Sequence, residues 1–248
     1  MNKKKVFMCL IIIIILITGG FTGNMFGIFS SGNYGKFRLS ETAASNSPIK
    51  GKTVIFLGSS VTYGYGSLGV SFVDFLEKAD GITAVKEAVS GTTLADIKDN
   101  SYVSRLNKID TSLKADAFIC QLSTNDATKN IPLGEISPEK IADTFDTSTV
   151  AGAIEYIINY VKLTWNCPVI FYTQAKYDSD NYAEMVQLLH KIQDKWDIEI
   201  IDLWNNEDIN NISEEQKKLY LVDNIHPTKA GYKEWWLPEF QKALYKIL

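Results

Sequence analysis

A chain of 248 residues, 46% hydrophobic and 22% charged, has ample material for a buried core, which excludes a disordered or collagen-like polymer. The formal charge is −4 and no basic run follows Lys5, so a nucleic-acid backbone is not an expected partner. The only histidines are His190 and His226, too few for zinc-ligand spacing with Cys9, Cys120 or Cys167, and no metal or cofactor is expected.

Lys3, Lys4 and Lys5 precede an unbroken apolar run over residues 6–17, and no charge appears again before Lys36. This predicts a signal peptide or membrane anchor over 1–35, with the small residues Thr42, Ala43, Ala44 and Ser45 as a cleavage site if one is used. Either form places the remainder outside the cytoplasm, because the lysines stay inside. Residues 36–50, mixed and polar, read as a flexible linker, and 51–248 as the folded domain.

Within the domain, short apolar runs alternate with helical patterns. The run Val54-Ile55-Phe56-Leu57, closed by Gly58, predicts a strand buried on both faces, followed by a helix with Leu68, Phe72, Phe75 and Leu76 on one side. Further strands are predicted over 82–88, 116–122, 168–173 and 198–203. Helices are predicted over 94–109 (loosely), 149–165, 182–196 and 228–248, and residues 127–147 read as a long loop. Cys120 and Cys167 fall in or beside apolar runs and read as buried free thiols. Alternating strands and helices imply right-handed βαβ units: an α/β fold with one five-stranded parallel sheet between helical layers. In such folds ligands bind beyond the C-terminal ends of the strands.

The segments at those ends are small and polar. Ser60 lies at a strand-to-helix turn, where open backbone donors and the helix dipole favour arriving negative charge; serine is also a common helix cap. Asp223-Asn224-Ile225-His226-Pro227 offers a base for a serine nucleophile and a carboxylate able to orient it, although His226 could equally be a capping or surface histidine and Asp223 an N-cap or turn residue. Gly91 can bring its backbone close to a substrate, and Asn125 can aim an amide from the end of the third strand. The glycine-rich stretch after Gly58 lacks the Lys and spacing of a phosphate loop. His190 sits off the apolar stripe of its helix and reads as solvated. Tyr63 and Tyr65, just past Ser60, are candidates to line a substrate cleft.

Taken together, the blocks Gly58-Ser59-Ser60-Val61-Thr62, Gly91, Ser123-Thr124-Asn125-Asp126 and Asp223-Asn224-Ile225-His226-Pro227 resemble the successive blocks of the SGNH (GDSL-like) hydrolase superfamily. The resemblance implies a flavodoxin-like three-layer α/β/α sandwich and a catalytic triad of Ser60, His226 and Asp223. It also implies an oxyanion hole from the N–H groups of Ser60 and Gly91 with the Asn125 side chain. Two positions depart from the pattern: Ser59 stands where the family usually has Asp, and Ser123 where it usually has Gly. The expectation is a serine esterase working through an acyl-enzyme on short acyl groups, such as O-acetyl, of an extracellular or envelope polysaccharide. Alternatives are a lipid-directed esterase, lysophospholipase or thioesterase of the same fold, and a glycan-binding domain that has lost activity.

Overall fold

The computed structural model describes residues 26–248; of the leader expected over 1–35, residues 1–25 lie outside the described residues, and 26–35 are instead part of the fold. Five strands, β1 (Thr53–Gly58), β2 (Thr83–Ala88), β3 (Ala117–Gln121), β4 (Val169–Tyr172) and β5 (Glu199–Ile201), form one sheet of order β2-β1-β3-β4-β5. Every pairing is parallel, with Val54 level with Ala84 on one side and Ala117 on the other. This is the flavodoxin-like order, in which the direction of winding reverses at β1 and β3.

The pleat sends alternate side chains to opposite faces, and here both faces are apolar. Ile55, Leu57, Phe118, Cys120, Val169 and Phe171 join one core cluster, whereas Val54, Phe56, Ala117, Ile119, Ile170 and Tyr172 join the other. The covering helices are, in chain order, α1 (Ser60–Tyr63), α2 (Phe72–Asp80), α3 (Tyr102–Leu106), α4 (Thr124–Thr128), α5 (Val150–Thr164), α6 (Asp180–Trp196), α7 (Glu207–Asn210), α8 (Glu214–Tyr220) and α9 (Leu237–Ile247). Helices α3, α5 and α6 pack on the first face, and α2 and α9 on the second. Cys120 and Cys167 are buried and unbridged. No helix among the described residues is long and apolar enough to cross a membrane.

Three differences from the expected elements have local causes. The helix expected over 94–109 shrinks to α3, because the Asp126 carboxylate takes the N–H groups of Leu94 and Ala95 and holds that stretch as a loop. The closing helix begins as a π-helical turn, Gly231–Trp236, before α9. Pro238 lacks an N–H and its ring crowds the carbonyl four residues back, which a wider turn relieves. Helices α7 and α8 fill a connection where no helix was expected; Asn206 and Ser213 cap them, the latter in a reciprocal capping box with Gln216.

The largest correction concerns the N-terminal boundary. Residues 36–50 do not form a loose linker, and the fold does not begin at 51. Three short 3₁₀ turns, Ser31–Asn33, Gly35–Phe37 and Leu39–Glu41, lie against the domain, with Phe37 and Ile49 in its second core cluster. The buried Asn33 side chain donates to the carbonyls of Gly27 (2.8 Å) and Gly66 (2.9 Å) and accepts from the N–H of Lys229 (2.8 Å). Gly32 is equally committed, since a Cβ there would meet the Leu219 carbonyl at 2.1 Å. The candidate cleavage position Ser45 is also tied down, to the Ala79 carbonyl through both its N–H (2.7 Å) and its hydroxyl (3.0 Å). Cutting there would strip Asn33 and Phe37 from the fold.

Candidate active site

Strand β1 ends in a turn that only glycine allows at its base: a Cβ on Gly58 would lie 1.7 Å from Thr62 Oγ1. The turn is held from β3, where Gln121 Oε1 accepts from the N–H of Ser59 (2.9 Å) and the hydroxyl of Thr62 (2.9 Å). Thr62 in turn contacts the Tyr172 hydroxyl at 2.7 Å, and the Tyr232 hydroxyl donates to the Val61 carbonyl at 2.6 Å. Ser60 is thus fixed at the first position of α1, 7% exposed.

The histidine arrives on a loop closed at its base by a Leu221–Pro227 bridge and by Val222 N–H donating to the His226 carbonyl at 3.0 Å. Gln174, beyond β4, donates to the Ile225 carbonyl at 2.6 Å and steadies the loop from the sheet side. His226 Nε2 lies 2.8 Å from Ser60 Oγ, and His226 Nδ1 lies 2.8 Å from Asp223 Oδ2. The other carboxylate oxygen, Oδ1, accepts the N–H groups of Ile225 and His226, both at 2.8 Å. Burial pushes the Asp223 carboxyl up, but the hydrogen bond and charge of His226 and those two N–H groups outweigh it, holding it below the ordinary carboxylate value.

On the opposite side of Ser60, Gly91 adopts φ +79° with open space where a Cβ would stand. The N–H groups of Ser60 and Gly91 donate to no acceptor among the described residues. Asn125 Nδ2 donates to the Thr92 carbonyl (3.0 Å) and, at a longer 3.2 Å, to Ser59 Oγ. Both departures from the family pattern are therefore absorbed. Ser59 receives the Asn125 amide, while Ser123 is fully buried and caps α4 by accepting the Asn125 N–H at 3.2 Å.

Ser60, Tyr65, Gly91, Asn125, Asp223 and His226 line one open cavity of about 340 Å³, together with Ser90, Thr124, Thr128 and Ile225. The Tyr65 ring stands 5.1 Å from the His226 ring. Tyr63 is not brought in; it is 45% exposed, with Lys86 over its ring. His190 also differs from expectation: instead of being merely solvated, its Nε2 pairs with Asp202 Oδ2 at 2.8 Å.

Three supporting residues were not singled out from the sequence. Gln121 looked like the polar end of a strand. Asp126, in the third motif block, ties the loop beyond Gly91 to α4 through Leu94 and Ala95 (2.7 and 3.0 Å). Arg105 buries its guanidinium beneath the site, donating to the carbonyls of Gly58 (2.8 Å) and Glu87 (2.9 Å) and to Thr92 Oγ1 (3.2 Å), so that the ends of β1 and β2 and the Gly91 loop share one fork. Among the described residues no cluster of His, Cys, Asp or Glu could hold a metal ion.

The profile of the GDSL-like lipase/acylhydrolase family matches residues 56–234. The chain belongs to this family. As a GDSL-like acylhydrolase it is an ester-hydrolysing enzyme. Solved structures repeat the fold: a Lactobacillus plantarum protein is 20% identical with a TM-score of 0.68, covering 80% of this chain and 99% of its own. A candidate GDSL-like lipase from Bacteroides ovatus is 20% identical with a TM-score of 0.59, covering 79% and 99%. A G-D-S-L lipolytic-family member from Veillonella parvula is 17% identical with a TM-score of 0.52, covering 78% and 97%. At these identities the likeness concerns the fold. A search of curated proteins finds no match.

Proposed function

We propose that this GDSL-like acylhydrolase is a serine esterase that removes short acyl groups, most simply acetyl, from an envelope or extracellular polysaccharide. The unbroken relay Ser60–His226–Asp223, with both links at 2.8 Å, carries this reading. Ser60 Oγ attacks the ester carbonyl while His226 Nε2 takes its proton, and Asp223 fixes the tautomer and supports the imidazolium. The oxyanion falls beside the free N–H groups of Ser60 and Gly91, and the Asn125 amide turns to it from its long contact with Ser59. Return of the proton from His226 expels the alcohol, and water then repeats the sequence to release the acid.

The size and lining of the cavity support a short acyl group. Apart from the Tyr65 ring, Ile225 is the one large apolar side chain lining it, so each further methylene of a long acyl chain would forgo the ~0.8 kcal/mol that burial brings. The apolar run at residues 6–17 supports action outside the cytoplasm.

A fluorophosphonate probe with peptide mapping tests the chemistry. Ser60 is the expected site of modification, and Ser60→Ala should abolish both labelling and turnover of p-nitrophenyl acetate. Labelling elsewhere, or unchanged turnover in Ser60→Ala, would overturn the assignment. Comparing acetyl with octanoyl esters separates the polysaccharide reading from a lipid-directed one.

A further inference from the structure

Where the chain enters the fold, it leaves apolar side chains uncovered. Phe26, Ile28, Phe29 and Tyr34 are 44%, 45%, 67% and 39% exposed, although they fall within nine residues of one another. A concentration of this kind on an ordered surface marks a contact with something apolar. The segment is also no loose tail, since Asn33 clamps it and a Cβ on Gly27 would meet the Gly66 carbonyl at 2.1 Å. The Tyr34 hydroxyl donates to the Ile28 carbonyl at 2.5 Å, closing the apolar turn on itself.

This surface adjoins the active site. The Phe26 ring lies 4.8 Å from Tyr65, whose other neighbour is the His226 ring at 5.1 Å. The same segment braces the histidine loop through the Asn33 contact to Lys229. Cations gather beside it in a chain whose net charge is −4: Lys36, Arg38, Lys229 and Lys233. Lys233 is tied to the carbonyls of Lys36 and Glu41, and Lys36 pairs with Glu234, whereas Arg38 and Lys229 form no ion pair among the described residues. Burial and the charge of Arg38 both lower the Lys229 pKa, which places the two cations close together. Aromatic and aliphatic side chains beside two unpaired cations, Arg38 and Lys229, match the boundary between acyl chains and anionic headgroups.

We infer that this face docks on an anionic lipid bilayer and sets the mouth of the catalytic cavity against the membrane, so that the ester hydrolysed is one presented at the membrane surface. The inference rests on the esterase reading for its substrate but not for its docking. The upstream sequence names the same occupant. From Ile17, the end of the apolar run, to Phe26 is nine residues, which even fully extended reach only ~30 Å. A membrane span of ~20 residues begun at Val6 would end next to Phe26, so such an anchor cannot hold the catalytic centre far from the bilayer, and the exposed turn is the surface that would meet it.

The test uses the full chain reconstituted in equimolar phosphatidylcholine and phosphatidylglycerol vesicles, with Cys9→Ser removing the upstream thiol; Cys120 and Cys167 are buried. An environment-sensitive fluorophore is attached at Phe29→Cys or at Leu163→Cys. Leu163 is 78% exposed near the C-terminus of α5, at the sheet end opposite the active site. Lipids bearing a spin-label quencher should quench the probe at 29 and not at 163. Arg38→Gln with Lys229→Gln should weaken that quenching at least about twofold, to which a mere tether is indifferent. In activity, Ile28→Glu with Phe29→Glu should lower turnover of a vesicle-borne acetyl ester by about tenfold or more, leaving p-nitrophenyl acetate within about twofold.

No quenching at 29 means the turn is covered by a second copy or by the chain's own upstream segment, and the docking inference is wrong. Equal quenching at both positions, insensitivity to the charge substitutions, or equal loss of both activities also overturns it. Failure of the esterase reading appears separately, as loss of Ser60 labelling with the quenching pattern intact.

Discussion

The molecule holds its two histidines in nearly the same local arrangement, yet only one of them faces a serine hydroxyl. His226 and His190 each place a ring nitrogen 2.8 Å from an aspartate oxygen. Each aspartate is secured by further donors: Asp223 by the N–H groups of Ile225 and His226, and Asp202 by Thr173, the Asn205 N–H and the Asn205 amide. In both, burial pushes the carboxyl up, and this is more than reversed, at Asp223 by the hydrogen bond and charge of His226 with the two N–H groups, and at Asp202 by the Asn205 donors with the hydrogen bond and charge of His190. The difference lies on the far side of the ring. His226 meets Ser60 Oγ, backed by free N–H donors at the ends of β1 and β2, whereas His190, 41% exposed on α6, meets no second protein partner among the described residues. A histidine–aspartate pair is therefore a common stabilising contact. The hydroxyl and the converging donors are what the proposed chemistry adds to it.

Breaking the active pair at its carboxylate gives the largest contrast. Asp223→Asn keeps the shape but presents an amide to Nδ1, favouring the wrong tautomer, so kcat should fall about 10³- to 10⁴-fold with little change in KM. Steady-state kinetics on a short-chain ester checks this. Removing a donor instead, by Asn125→Ala, should cost about 10²- to 10³-fold in kcat while Ser60 still reacts with a fluorophosphonate. Next in size is Gln121→Met, which keeps the volume but leaves the Ser59 N–H and Thr62 hydroxyl without their acceptor. It should cost about 1–3 kcal/mol in urea unfolding and lower kcat more than it raises KM, because the serine turn loosens while the cavity wall stays.

These residues also mark what could be read from the chain alone. The strands were legible because four to six apolar residues in a row, broken by Gly58 or by Ser123, leave few other readings, and their order at the reversal point put Ser60, Gly91 and Asn125 on one rim. His226 and Asp223 were legible as a local pair. Gln121 was not, because its role depends on β3 lying beside β1, a relation between residues 62 positions apart. Arg105 escaped for the same reason, as its partners Gly58, Glu87 and Thr92 meet only in the folded chain. The segment from 26 to 49 carries no periodicity at all. It packs through Gly32, Asn33 and Phe37 singly, so the uncharged stretch to residue 35 read as part of a leader and 36–50 as a linker where the fold has a brace.

The second pair supplies the smallest effect and the cleanest control. Asp202→Asn should leave kcat and KM within about twofold, since neither His190 nor Asp202 reaches the cavity, and stability at neutral pH should fall by no more than ~1 kcal/mol because His190 is partly solvated. The sign of its pH dependence follows from the direction of the shift. The carboxyl is held below its ordinary value in the fold, so its contribution is complete above the unfolded pKa of about 4 and disappears as pH falls through the lower, folded value. Urea unfolding of the native chain and of Asp202→Asn should therefore differ at pH 7 and converge in stronger acid. A difference that persists or widens in acid would mean that Asp202 acts through its neutral contacts with Thr173 and Asn205, and the likeness between the two pairs would then be one of geometry alone.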